Sequence, residues 1–126
     1  MISENVHYFS DHEEKTIQLL ASLGMKNNVA KVLVFLMSSH PTTSRDIERG
    51  TDLRQPEVSL AIKYLETRGW VTRDEGAATT KGRPIMIFEL AMSVREIMDS
   101  IEEEKTNEAK TQLARVRQLR ECTECA

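Results

Sequence analysis

Gln55, Ser59 and Lys63 stand four residues apart within a segment whose apolar residues recur at helical spacing, so on a helix the three share one face. Their chemistry suits the edges of base pairs. A glutamine amide pairs bidentately with adenine, a lysine reaches guanine N7 or O6, and a serine hydroxyl bonds to either kind of edge. The same three residues also make an ordinary solvated helix face, and only the surrounding elements select between the two. Arg54 adds a cation for phosphate at the start of the segment. Glu57 either accepts from cytosine or supports the first helical turn. Lys81 and Arg83 flank Gly82 in a polar loop, where they would hold phosphate or enter a narrow minor groove, or form a plain charged loop. Arg45, Arg49 and Arg73 offer further backbone contacts, or else pair with a nearby acid such as Asp46, Asp52 or Asp74.

Other chemistry is sparse. Cys122 and Cys125 form a Cys-x-x-Cys near the C-terminus. Two thiolates are half of a tetrahedral zinc site, which two chains would complete, and they are also a disulfide or a thiol switch. Without a second ligand pair they read most simply as two reduced cysteines. No metal site and no cofactor is expected. His7, His12 and His40 are scattered. No Ser-His-Asp or Cys-His arrangement is suggested and there is no glycine-rich phosphate loop, so an enzyme is not expected. Met25, Met37, Met86, Met92 and Met98 read as core filler.

The elements that must position these residues follow from pattern and punctuation. A first helix is expected from near Asp11, with Glu13 and Glu14 favourable in its first turn and Ile17, Leu20, Ala21 and Leu23 on its apolar face. Gly24 ends it. A second helix, capped by Asn27, is apolar around most of its circumference and therefore central. Pro41 follows it. Thr43 caps a third, short helix, and is counted with the contact residues at that helix start; Gly50 permits a tight turn and Leu53 plugs it. A fourth helix starts at Gln55-Pro56, where proline removes no backbone bond, and buries Val58, Ala61, Ile62 and Leu65. Gly69 ends it. Trp70 to Asp74 and Ile85 to Leu90 read as two strands joined by the loop 75–84, which is a hairpin with a polar tip. Ser93, with Glu96 three residues on, caps a last helix extending to about Arg120. Val94, Ile97 and Ile101, then Leu113, Val116 and Leu119, give this helix two apolar stretches that suit a partner chain.

The chain is 126 residues long with a formal net charge of −3. That is one domain with an extension, divided as an N-terminal helix segment (1–24), a central domain (25–91) and a C-terminal helix (92–126). The charge is uneven. From residue 43 to 84 eight basic residues face seven acidic ones, whereas from 85 onward six face nine. A binding segment this weakly basic needs a dimer or a close fit to hold phosphates. No apolar run is long enough to span a bilayer, and the N-terminus has neither a basic region nor an apolar stretch, so no membrane partner and a cytoplasmic location are expected.

Gln55-Pro56, Val58-Ser59, Lys63, Leu65-Glu66 and Gly69-Trp70-Val71 make the stretch from Leu53 to Val71 resemble the recognition region of ArsR-type repressors. Leu23-Gly24-Met25 through Ala30-Lys31-Val32 looks like the opening of TrmB-type archaeal regulators. Lys81-Gly82-Arg83-Pro84, with Phe88, is similar to the basic wing tip of the wider ArsR/MarR/TrmB-like superfamily. The resemblance spans about residues 23 to 90. It implies a dimeric transcription regulator of mainly α class with a small β-hairpin wing, Gln55 and Ser59 at base edges, and Arg83 at the minor groove or backbone. Two departures narrow it. Ile47-Glu48-Arg49-Gly50 lacks the cysteines of ArsR metal sensors, and only one helix follows the wing where TrmB-type sugar sensors carry a ligand domain.

The expected architecture is a winged helix-turn-helix with an N-terminal helix and a long C-terminal dimerisation helix. The expected DNA contacts are Thr43, Arg54, Gln55, Glu57, Ser59, Lys63, Arg73, Lys81 and Arg83. Ile17, Leu20, Val94, Ile97, Ile101, Leu113, Val116 and Leu119 are expected to join two protomers on double-stranded DNA. The alternatives are a winged helix used for protein contacts without a specific DNA site, and a regulator whose Cys122 and Cys125 respond to thiol chemistry or metal.

Overall fold

The computed structural model describes residues 9–38, 41–78 and 84–124. The chain divides into two compact units, residues 1–92 and 93–126. The first contains α1 (Asp11–Ser22), α2 (Asn27–Ser38), β1 (Thr42–Thr43), α3 (Ser44–Thr51), α4 (Gln55–Thr67), β2 (Val71–Ala78) and β3 (Pro84–Leu90). The second is α5 (Val94–Glu124).

Local cap chemistry sets several of the helix ends in the first unit. Ser10 caps α1: its hydroxyl accepts from the Glu13 amide at 3.1 Å and the Glu13 carboxylate accepts from the Ser10 amide at 2.9 Å, a reciprocal pair that satisfies two otherwise orphaned donors. Beyond α4, Gly69 adopts a φ of +79°, and the Gly69 and Trp70 amides donate back to the Glu66 and Leu65 carbonyls at 2.9 and 3.0 Å. This closure needs a left-handed residue, which glycine supplies without steric cost. α1 ends by the same device at Gly24.

α2 is the centre of the unit, as its nearly unbroken apolar surface requires. Val29, Ala30 and the run from Val32 to Leu36 are all buried. α1, α3 and α4 pack against it. α4 contributes Val58, Ala61, Ile62 and Leu65, α3 contributes Ile47, the sheet contributes Val71 and Phe88, and Trp70 joins them from just before β2.

The sheet has three antiparallel strands in the order β1-β3-β2. β3 pairs with β2 from Val71 opposite Leu90 to Glu75 opposite Met86, then shifts register before Ala78 pairs with Pro84. On its other edge Thr42 lies opposite Phe88 and Thr43 opposite Ile87. The hairpin is the one expected, with β2 extending to Ala78 instead of stopping at Asp74. The two-residue strand β1 was not foreseen: Thr42-Thr43 carries no hydrophobic alternation, and its pairing depends on β3 from more than forty residues away.

The turn between α3 and α4 differs from expectation. Its left-handed residue is Asp52, with φ +57°, a conformation that the short polar side chain tolerates. Gly50 lies within α3 and is buried.

In the second unit Ser93 and Glu96 form the expected capping box: each amide donates to the other's side chain at 3.1 Å. The backbone and hydroxyl of Ser93 hold the Glu96 carboxyl below the ordinary carboxylate range. α5 has 31 residues, about 46 Å at the usual helical rise. From Thr106 to Glu124 every residue is exposed.

Candidate nucleic-acid interface

The helix-turn-helix begins at Thr43, whose hydroxyl accepts from the Asp46 amide at 3.2 Å and starts α3. α4 then enters with Arg54 at its cap. A guanidinium has no acceptor to offer the first-turn amides, and the cap works in the reverse direction only: the Arg54 amide donates to Glu57 Oε1 at 2.9 Å. The guanidinium itself is left exposed.

Glu57 therefore belongs to the frame. Its second oxygen accepts from Asn28 Nδ2 at 3.3 Å, tying the start of α4 to the start of α2. Both bonds support the first turn of α4, one of the two roles the sequence leaves open to Glu57.

Around α4, at 100° per residue, the buried stripe Val58, Ala61, Ile62 and Leu65 lies opposite a line formed by Pro56, Lys63, Thr67 and Leu60. All four of these are exposed. Gln55 and Ser59 are exposed too, but they sit to one side of that line. With Thr43, Ser44, Arg45 and Arg73 they edge an open cleft of about 480 Å³ between α3, α4 and β3. On the opposite side Leu60 and Tyr64 border a second depression of about 540 Å³, rimmed by Lys26, Asn27 and Asn28 at the start of α2. Leu60 lies outward as its spacing predicts, whereas Tyr64 and the residues at the start of α2 carry no sequence signal that would join them to it.

Arg73 takes a different partner from those anticipated. It grips Glu66 with two hydrogen bonds of 2.6 Å, from Nε and from Nη2, and lies over the Phe88 ring at 5.3 Å. Its partner is thus Glu66 and not Asp74, and its side chain stays about half exposed. The hydrogen bonds from Arg73 hold the Glu66 carboxyl below its ordinary range and raise the guanidinium further. Seven residues separate the two, across a helix end and into a strand, so no local rule pairs them. At the C-terminus of α4, Arg68 stacks on Trp70 at 4.3 Å from the ring centroid and lies 5.6 Å from that of Tyr64, to whose hydroxyl it donates at 3.3 Å.

Lys81 and Arg83, the expected wing-tip cations, lie outside the described residues, as does Cys125. Cys122 is exposed on the last turn of α5. Among the described residues no group of three or more His, Cys, Asp or Glu side chains is disposed to hold a metal ion.

The residues assigned to a partner chain fall into two groups. Ile17 and Leu20 are 5% and 4% exposed, and α1 packs on α2. They are thus interior residues of the protomer, and the apolar groups that α1 leaves at the surface are Leu19 and Leu23. On α5, Ile97 and Ile101 are buried, whereas Val94, Leu113, Val116 and Leu119 are exposed, the last by 63%.

Comparison with known proteins agrees with this geometry. A model of the MarR family matches residues 23–80. No curated protein sequence matches the chain. Among solved structures, the chain is similar to a possible transcriptional regulator from Methanosarcina mazei Go1, with a TM-score of 0.67 and 14% identity over 83% of this chain and 86% of that one. It is also similar to the multiple antibiotic resistance repressor MarR, with a TM-score of 0.54 and 14% identity over 81% and 72% of the two chains. A mutant of S. aureus MepR bound to an oligodeoxyribonucleotide aligns with a TM-score of 0.52 and 20% identity over 81% and 73%. The likeness is to MarR-type winged helices in particular, with the ArsR and TrmB features at the level of the wider superfamily.

Proposed function

We propose, from the match of residues 23–80 to the MarR-family model, that this winged helix-turn-helix is a transcription regulator of that family and binds a specific DNA sequence as a homodimer. α4 lies in the major groove and the wing steadies it on the backbone or in the minor groove. The observation that carries this reading is the exposed surface of α4. Gln55, Ser59 and Lys63 stand free on a helix whose other face is locked into the core, and Arg54 stands at its tip. A helix held in this way presents base-reading groups without first having to order itself. The MepR structure holding an oligodeoxyribonucleotide supports the reading by its shared fold.

The exposed stripe of Leu113, Val116 and Leu119 on α5 supports the dimer. Apolar side chains at this density on a solvated helix suit a second copy of the same helix. Two-fold symmetry then favours a palindromic operator with half-sites about one helical turn apart. A location in the cytoplasm, with the DNA, fits this role; no helix among the described residues is long and apolar enough to cross a membrane.

Binding of the purified protein to genomic fragments, including its own upstream region, tests the proposal. The assay is run at two salt concentrations against random competitor DNA. A protected site that survives competition and weakens steeply with salt is expected. Uniform weak binding would overturn it in favour of the second reading, a winged helix that docks on proteins. Two observations favour that second reading: the net charge of −3 and the engagement of Arg73 by Glu66.

A further inference from the structure

Leu60 is 71% exposed, more than any other large hydrophobic residue among those described. Single exposed leucines are ordinary on protein surfaces; the position of this one is not. It lies on the outward line of α4, directly opposite the buried stripe, in the company of Pro56, Lys63 and Thr67. Its neighbours on that line are mixed, Pro56 and Thr67 beside Lys63, and Tyr64 shares the depression next to it. The surroundings carry the charge that DNA requires: Lys63 lies on the same line, Arg54 at the helix tip, and Lys26 on the far rim of the depression that Leu60 borders.

An exposed apolar side chain set beside cationic and polar groups has a natural counterpart in the major groove. Thymine alone of the four bases presents a methyl group there, set among donors and acceptors. We propose that Leu60 reads thymine, its side chain covering a C5-methyl group while Lys63, one turn along the same face, takes a neighbouring polar edge. The inference rests on the DNA-binding reading above and adds to it a specificity-determining residue whose contact is made by burial alone.

Deoxyuridine differs from thymidine only by that methyl group. A duplex is recovered by selection from a random DNA library with the wild-type protein. Its thymines are then replaced one at a time by deoxyuridine, and the affinities of wild type, Leu60→Ala and Leu60→Met are compared. At one or two positions the wild type is expected to lose about fourfold in affinity, as befits one buried methyl group. Leu60→Met keeps that penalty. Leu60→Ala loses it, binding the thymine duplex as weakly as the wild type binds the uracil one. Circular dichroism and the melting temperature confirm that the exposed substitution leaves the fold in place. A wild type indifferent to every replacement, or a Leu60→Ala protein that retains the full penalty, overturns the assignment while leaving DNA binding intact. Failure to recover any duplex removes the DNA reading, and this inference with it.

Discussion

Gly50 of α3 packs directly against the ring of Phe35 in α2. A Cβ added at residue 50 would sit 2.6 Å from Phe35 Cζ and 2.8 Å from Cδ1, with the Cε1 atom nearer still. Real side chains do not make such contacts, so the glycine is what allows α3 to approach the central helix and, through the turn at Asp52, to set the position of α4. Gly50→Ala gains helix propensity of about 1 kcal/mol, but overpacking a buried site costs about 1–3 kcal/mol. Net destabilisation is expected, read as a lower denaturant midpoint with an unchanged slope. Combining it with Phe35→Leu should recover part of the loss; a strictly additive double mutant would show that the two residues do not oppose each other.

The Glu66–Arg73 pair links α4 to the wing strand. Because Arg73 depresses the Glu66 pKa in the folded state, the pair's contribution is present above the ordinary value of 4.5 and is lost as pH falls through the depressed one. Arg73 stays charged throughout this range. Both side chains are partly exposed, by 25% for Glu66 and 47% for Arg73, so the contribution at neutral pH is at most about 1 kcal/mol. Unfolding curves of wild type and Glu66→Gln should differ at pH 7 and converge below pH 4.5. A gap that widened on acidification would contradict this sign.

Gln55 and Arg54 should differ in kind on DNA. On the proposed reading, losing Gln55 removes a base contact worth about 1–3 kcal/mol on the preferred sequence, narrowing the gap to random DNA. Losing Arg54 weakens specific and random binding alike and lowers the salt slope by about one. Titrations of Gln55→Ala and Arg54→Ala at several salt concentrations separate these outcomes, and matching losses in both variants would cancel the division of roles. Arg83→Ala, between β2 and β3 in the sequence, is expected to behave like Arg54→Ala.

Replacing Leu113 and Leu119 by lysine should leave the winged helix folded and the chain monomeric. Every residue from Thr106 to Glu124 is exposed in the single chain, so the substitutions touch no core of their own protomer. Sedimentation at micromolar concentration reads the oligomeric state, and binding to a palindrome should drop toward that of one half-site. A variant that sedimented with the wild type would remove α5 from the dimer interface.

Much of this protein follows from its sequence by local rules. Ser93, Gly24 and Gly69 mark helix ends because cap and closure chemistry acts within three or four residues. The apolar stripe of Val58, Ala61, Ile62 and Leu65 identifies the inner face of α4 because helical periodicity is intrinsic to the backbone. The nearly all-apolar α2 must be central because no other environment suits it. The tertiary structure alone decided what is non-local. It paired Arg73 with Glu66 and directed Glu57 toward Asn28. It added the strand Thr42-Thr43 to the far edge of the hairpin, and it moved Ile17 and Leu20 inside the protomer. It gave Gly50 a packing role and left the turn to Asp52. Each of these depends on which surfaces meet when α2 collects its neighbours, a geometry that spacing along the chain does not contain.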